Sequence, residues 1–432
     1  MRALVLGGAG AMGRWTIRDL VESDGVEEVC AADLDGRRAR ETAGWAAARA
    51  GSSGTARVQG MQLDAGDPDA LRRALERVDV ACNCAPHATN LAVMAACADT
   101  GTHYLDLGGL FHTTRKQLEL GPRFAAAGVT AVCGMGASPG TTNVMAALAA
   151  RGLARVDAVE VRLGVADFGP ATAPLPLPYA AGTLLDEVTE PAMAFRDGAF
   201  VALPAMSEPE ELRFPDPVGT VRVGHVLHSE VATLPLHFAA AGVREVSFKL
   251  GFPSAFMDRL TLLARLGLAG REAVELDGVK VVPRELLVRL LDAAREPPEA
   301  QAAPDDAEAI WVRVRGRRAA RPGRKAQPVG DGAARPGRDG AAQAGVPVEV
   351  LAECVVRAHP GWQAGAGQLD TGVPPSVVAQ LLARRLIDRP GVFAPEQVVP
   401  PEPYFAELAR RRMEVSLVTR ERVGRSPRGA AE

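Results

Sequence analysis

Residues 3–13 read Ala3-Leu4-Val5-Leu6-Gly7-Gly8-Ala9-Gly10-Ala11-Met12-Gly13, an apolar run that breaks into glycines and continues as a helical pattern over Met12–Val21. Gly8, Gly10 and Gly13 give the spacing GxGxxG between a strand and a helix, with Ala11 and Met12 supplying the intervening backbone. Such glycines permit a tight turn, close backbone approach to a pyrophosphate and close helix–strand packing. The free N–H groups and dipole of the helix N-terminus then favour the phosphates of a dinucleotide.

The pattern continues outward as a doubly wound alternation. Apolar runs at Ala3–Leu6, Val29–Ala32, Val58–Leu63, Val78–Cys82 and Val129–Cys133 predict buried parallel strands. Helical patterns at Arg37–Arg49, Pro68–Arg77, Asn90–Thr100 and Thr113–Ala127 separate them, with Asp67 before Pro68 as a helix start. The fold class is α/β: a Rossmann-type doubly wound parallel sheet over residues 1–150, followed by a second α+β domain over 151–369 with an antiparallel sheet. In that second part Val159–Val165 and Arg244–Leu250 read as strands, and Asp197-Gly198 and Asp277-Gly278 as hairpin turns. Helices are expected at Ser254–Leu266, Pro283–Ala294, Val373–Ile387 and Pro403–Arg412, and a last strand at Met413–Val418. Arg315–Gly345, built from Arg, Ala, Gly and Pro, reads as a disordered loop between strands at Ile310–Val314 and Val348–Val356.

Bulk properties narrow the function classes. At 432 residues the chain calls for two domains, and a formal charge of −3 argues against nucleic-acid or anionic-membrane partners. The arginines of 315–345 leave RNA binding as a minor alternative, with a tolerated surface insertion as the plainer reading. No apolar run approaches a bilayer span, and the chain enters its first strand without a signal-like segment. The six cysteines show no CxxC pair or disulfide-like spacing, so a reduced, cytoplasmic protein is expected. His225 and His228, three apart in an expected strand, do not converge on a metal, and none is expected.

Asp33 ends the second strand twenty residues beyond Gly13, where a carboxylate meets the adenosine ribose hydroxyls. It favours NAD, while Arg37 and Arg38 keep NADP open. Asp64 and Ala65 follow the third strand near the adenine position, and Cys84, Ala85 and Pro86 follow the fourth beside the nicotinamide ribose. Three loops surround the nicotinamide end: Pro86–Asn90, Tyr104–Gly109 and Gly134–Asn143. From these, Gly108 and Pro139 are candidate cofactor contacts, and Gly140, Thr141 and Asn143 candidate substrate contacts. Asp106 and His87 are the candidates for proton handling, against the plainer readings of a turn-capping acid and a backbone-bonded loop histidine.

The chain resembles the saccharopine dehydrogenase family and its relatives the NAD-dependent lysine 6-dehydrogenases. The carrying segments are the glycine motif with Asp33, Leu63–Pro68, His103–Gly109 and Ala137-Ser138-Pro139-Gly140. Leu184-Leu185-Asp186-Glu187, His228–Pro235 and Gly391–Glu396 add to them. The resemblance implies NAD(P)-dependent oxidation of an amino-acid C–N bond to an imine, or the reverse condensation. It also implies a homodimer and a segment near 370–432 that returns to the first domain. His228, Glu230 and Thr233 then line the substrate pocket, with Lys249 as the cation for a carboxylate. Where saccharopine reductases carry an Arg-Tyr-Pro-Gly-His-type segment, this chain has Phe248-Lys249-Leu250-Gly251-Phe252-Pro253, which puts saccharopine itself in doubt. Lysine 6-dehydrogenation, a polyamine-related condensation and a non-catalytic NAD sensor stay as alternatives.

Overall fold

The structure, a computed structural model, describes residues 1–50, 56–169, 175–294, 303–319 and 345–421. Seven parallel strands form the first sheet: β1 (Arg2–Leu6), β2 (Glu28–Asp33), β3 (Arg57–Gln62), β4 (Val80–Asn83), β5 (His103–Asp106), β6 (Thr130–Val132) and, from far along the chain, β17 (Gly391–Phe393). Their order is β17-β6-β5-β4-β1-β2-β3. The order reverses between β1 and β4, and ligands of such sheets bind at that crevice beyond the strand C-termini. Alternate residues of β1 face two cores: Ala3 and Val5 pack with Ile17 and Leu20, and Leu4 and Leu6 pack with Leu71 and Met94.

The second sheet comprises β7 (Arg155–Asp167), β8 (Ala192–Arg196), β9 (Ala199–Leu203), β10 (Glu210–Arg213), β11 (Thr220–His225), β12 (Glu245–Gly251), β15 (Asp306–Arg318), β16 (Val346–Arg357) and β18 (Val415–Glu421). It is antiparallel except where β12 runs beside β7, so the expected antiparallel sheet is a mixed one. The Asp197-Gly198 turn joins β8 to β9 with φ of 51° and 84°, as a two-residue hairpin requires. The Asp277-Gly278 hairpin stands apart as a two-stranded sheet, β13 (Val274–Leu276) and β14 (Val279–Val281).

Several expectations are corrected. Tyr104–Asp106, read as the start of a loop, belong to the inner strand β5, His103–Asp106. The helix expected over Thr113–Ala127 is two, Leu110–Leu118 and Gly121–Ala127, divided before Gly121-Pro122. Arg315–Arg318, assigned to the disordered segment, continue β15 opposite Val346–Glu349; residues 320–344 lie outside the described residues. The helix expected from Pro374 starts at Ala366 and carries Pro374 and Pro375 in its interior. Neighbours hold it there: Thr16 Oγ1 donates to the Gly372 carbonyl at 2.6 Å and Ser376 Oγ to Asp19 at 2.6 Å. Gly372 lies so close to the glycine-turn helix that a Cβ would sit 2.8 Å from Trp15 Cβ.

Candidate functional site

The glycine turn has the geometry of a dinucleotide cradle. The Gly10 N–H donates to the Gly7 carbonyl at 2.9 Å, and a Cβ at Gly13 would lie 2.4 Å from that oxygen. Gly7, outside the spacing first read, has φ of +66°, and a Cβ there would come 2.8 Å from the Cys84-Ala85 peptide. Helix Gly13–Val21 has no side-chain cap, and the Ala11, Met12 and Gly13 N–H groups at its start have no backbone partner among the described residues, as a phosphate-binding turn requires. Asp33 Oδ2 accepts the Ala9 N–H at 3.1 Å, and its Oδ1 the Asp35 N–H at 3.2 Å. Arg38 donates to the Ala9 carbonyl at 2.9 Å, so its guanidinium and the Asp33 carboxylate both hold the Ala9 peptide. Asp64 is exposed and accepts the Gly66 N–H at 2.8 Å, a turn-forming contact. Cys84 Sγ lies 3.6 Å from the Thr16 hydroxyl, and burial pushes its thiol up to about 12, so this cysteine stays protonated.

Of the two proton-handling candidates, neither enters the polar centre as a free group. Asp106 is 1% exposed, and its carboxylate accepts N–H bonds from Gly108 and Gly134 and from the Gln117 amide. Burial raises its pKa although these donors oppose the shift. Asp106 therefore organises two loops instead of meeting a reactant. His87 sits half-buried on a short 3-10 turn at His87–Thr89, with no side-chain hydrogen bond among the described residues.

Pro139 occupies the space beside two glycines: a Cβ at Gly108 or Gly134 would stand 2.9 or 2.7 Å from its Cγ. Beyond it lies a buried polar network joining both sheets. Glu230, 0% exposed, accepts Ser138 Oγ at 2.5 Å and Thr142 Oγ1 at 2.8 Å, and pairs with His228 Nδ1. The His228 ring stacks on Phe248 with centroids 4.0 Å apart. Asn143 donates to Glu396 at 2.9 Å and to Thr233 at 3.2 Å, while its carbonyl accepts the Gly140 N–H at 3.0 Å. Thr141 instead meets the Tyr404 hydroxyl at 2.7 Å. The buried Ser229 hydroxyl has no partner among the described residues and lies beside Gly108.

Glu187 adds a third carboxylate, bonded to the Tyr179 hydroxyl. Its helix, Ala181–Thr189, is seated by Arg284 and Arg271, which both reach Asp186 Oδ1 at 2.5 Å. Burial pushes Glu187 up to about 7. Burial alone would lower His228, but Glu230 outweighs it and raises the imidazole; the same pairing overcomes burial at Glu230 and lowers that acid. Ser138, Thr142, Tyr179, Glu187 and Glu396 were not among the expected site residues, although a glutamate closing the apolar Leu184-Leu185 run was a visible signal.

Lys249 faces away. Phe248 points into the core against His228, so its neighbour Lys249 points to the opposite face of β12. There it donates to the Glu208 carbonyl at 2.7 Å and pairs with Glu210 at 3.2 Å, near His225 and Arg162. Among the described residues no group of three His, Cys, Asp or Glu side chains is placed to hold a metal ion. No helix of the described residues is long and apolar enough to cross a membrane.

A glycine cradle at the switch point of a parallel sheet, opening toward a polar centre shared with a second sheet, defines an NAD(P)-binding protein of the two-domain Rossmann class. The chain belongs to the saccharopine dehydrogenase family: residues 3–132 match its NADP-binding domain and 136–413 its C-terminal domain. A carboxynorspermidine synthase of Vibrio cholerae is 26% identical over 250 residues, 54% of this chain and 59% of that one. A carboxyaminopropylagmatine dehydrogenase of Synechocystis sp. is 24% identical over 223 residues, 49% of this chain and 54% of that one. The chain thus spans under two thirds of the length of the curated relatives it matches. Apo saccharopine dehydrogenase (L-Glu forming) of Saccharomyces cerevisiae shares the fold, with TM-score 0.67, 15% identity, and coverage of 97% of this chain and 99% of that one.

Proposed function

We propose that the protein is an NAD(P)-dependent oxidoreductase that reduces an imine formed between a cationic amine and an oxo acid, or runs the reverse oxidation. The observation that carries this reading is the buried His228–Glu230 pair, with Glu187 beyond it, at the strand ends where the cradle opens. A nicotinamide held by the glycine turn would supply or accept the hydride. The chain's own residues handle the protons. His228, kept cationic by Glu230, gives a proton to the departing water as the imine forms. Glu187, at about 7, exchanges that proton near neutrality. Ser138 and Thr142 hold Glu230 so that the imidazole keeps one orientation. Asp106 fixes the Gly108 and Gly134 turns, between which Pro139 packs.

A cationic amine suits this centre better than a dicarboxylate. Phe248–Pro253 brings no arginine to it, Lys249 is spent on the other face, and the buried carboxylates Glu187, Glu230 and Glu396 outnumber the one cationic side chain that pairs with any of them among the described residues, His228. The relatives' names, which contain norspermidine and agmatine, point the same way.

The test is a panel that follows nicotinamide absorbance with NADPH or NADH, an amine and an oxo acid. Oxidation that needs both organic partners is the expected result. Lysine with NAD and no oxo acid examines the oxidative deamination alternative. Absence of turnover with every pair, together with NADH production from lysine alone, removes the condensation reading.

A further inference from the structure

The face of β12 turned away from His228 carries a cavity of about 280 Å³. Phe248 packs on His228 from one side of the strand. Ser247 and Lys249 line the cavity on the other, with Arg162 of β7, Arg196 of β8 and His225 of β11. The floor is basic and sunk into the sheet: Arg162 is 5% exposed, Lys249 6% and His225 1%. A buried cation needs an answering charge, and here two glutamates of the rim supply it. Glu210 accepts Arg162 Nε at 2.7 Å and pairs with Lys249 at 3.2 Å. Glu208 takes both ends of the Arg196 guanidinium, at 2.9 and 2.5 Å, and lies 3.3 Å from His225 Nε2.

Floor and rim differ in how firmly they are held. Arg162 and Lys249 stand opposite each other on the paired inner strands β7 and β12. The two carboxylates come from the outermost strand, β10, which pairs only with β11, and from the loop before it. The Glu210 side chain is 34% exposed and that of Glu208 50%. In that loop Met206 and Glu208 both take left-handed φ, 57° and 47°, a conformation that residues with a Cβ adopt at a cost. Glu208 and Glu210 are therefore tethered carboxylates resting on a preformed basic floor. Arg162 Nη2 has no hydrogen-bond partner among the described residues, and Lys249 keeps one of its three donors unused. The other acids of the rim are engaged elsewhere: Glu160 with Arg313 and Arg315, and Glu245 with the Asp197 N–H at 3.3 Å.

We propose that this cavity is a second ligand site, which takes a short dicarboxylate in place of Glu208 and Glu210. One carboxylate of the ligand meets Arg196 and His225, and the other meets Arg162 and Lys249, with guanidinium forks matched to carboxylate edges. At ~30 Å³ for each water the volume holds roughly nine of them, the bulk of a four- or five-carbon diacid. A free diacid repeats the contacts of the two glutamates and also reaches the donors that they leave unused. The site does not depend on the imine reading, because it lies on the opposite face of β12 from His228.

The test uses the full chain with succinate and glutarate as probes and acetate as the comparison, at constant ionic strength and read by calorimetry. At least one diacid is expected to bind about tenfold or more tightly than acetate. Glu208→Ala should tighten that binding about threefold or more, because the tethered rival is gone, and Arg196→Ala should weaken it about tenfold. The Kd of NAD(P)H should stay within about twofold of wild type in both variants, which excludes a folding defect. Diacids that bind no better than acetate, or a Glu208→Ala variant that binds them no more tightly than wild type, overturn the site. Diacid binding that survives Arg196→Ala and is lost in His228→Asn places the ligand at the reaction centre and overturns it as well. If diacid binding follows the expected pattern while no amine and oxo acid support nicotinamide oxidation, this site stands and the imine reading alone fails.

Discussion

The Asp106 carboxylate accepts the Gly134 N–H at 2.7 Å, which ties the end of β5 to the loop that follows β6. The same oxygen accepts the Gly108 N–H at 2.8 Å, so one side chain sets the spacing of two of the loops around the nicotinamide end. Asp106→Ala leaves these buried donors unmatched. A loss of about 2–4 kcal/mol of stability is expected in urea unfolding, with weakened cofactor binding. An alanine variant as stable as the wild type would show that the loops hold without this carboxylate.

Gly13→Ala places a methyl 2.4 Å from the Gly7 carbonyl, against backbone that has nowhere to retreat. Cofactor binding should fall below detection in nicotinamide fluorescence titrations. Gly25→Ala is the comparison for a glycine in open space, where the cost comes from its positive φ alone.

Arg38 is expected to decide between the two cofactors at the ribose end. Its guanidinium donates to Ala9 beside the Asp33 carboxylate, so it can meet a 2′-phosphate that Asp33 would repel. Arg38→Ala should raise KM for NADPH about tenfold or more and change KM for NADH by less than about threefold. Equal changes for the two cofactors would assign the arginine to the turn and not to cofactor choice.

The pairing of His228 with Glu230 gives a pH signature. Because Glu230 raises the imidazole pKa, the protonated acid persists above the ordinary histidine range, and the rate should fall only on a displaced alkaline limb. Glu230→Gln removes that support, so the limb moves to lower pH. His228→Asn should cost about 10²–10³ in kcat while the Kd of NAD(P)H stays near wild type. A Glu230→Gln profile that overlays the wild type would remove His228 as the titrating acid.

Glu308, buried on β15, predicts a stability difference with a defined sign. Its folded value of about 7 lies above the ordinary 4.5, so the native state holds a proton that the unfolded chain has released between those values. Stability from this group is therefore lost as pH rises across that window. Glu308→Gln does not titrate, and its Tm relative to wild type should climb between pH 5 and pH 8. A constant difference over that range would mean that the acid is not held protonated.

The cofactor half was legible in the sequence because its signals are local. A strand of apolar residues, three glycines at fixed spacing and an acid ending the next strand all lie within 33 residues. His103–Asp106 escaped as a strand because four residues starting with histidine carry too little pattern. Lys249 was misplaced because position 249 gained its meaning only once Phe248 was seen to face His228. Glu187 and Glu396 each come close enough to feel the charge of Glu230, from three separated segments, and no single stretch announces that. Proline spacing misdated the helix at Ala366, since contacts with Thr16, Asp19 and Trp15 hold Pro374 and Pro375 inside it.

Residues 391–393 lie beside Thr130–Val132 as the outermost strand of the first sheet, and residues 415–421 beside β16 as an edge of the second. Neither sheet can be finished while the ribosome still holds this stretch. For some 260 residues of synthesis β6 must emerge with a bare parallel edge, the kind of surface that recruits foreign strands. A message cut short after β16 would release a chain whose nucleotide-binding half carries all of its glycine motif and still exposes that edge. Quality control would therefore meet such a product as an aggregation hazard rather than as a half-working enzyme.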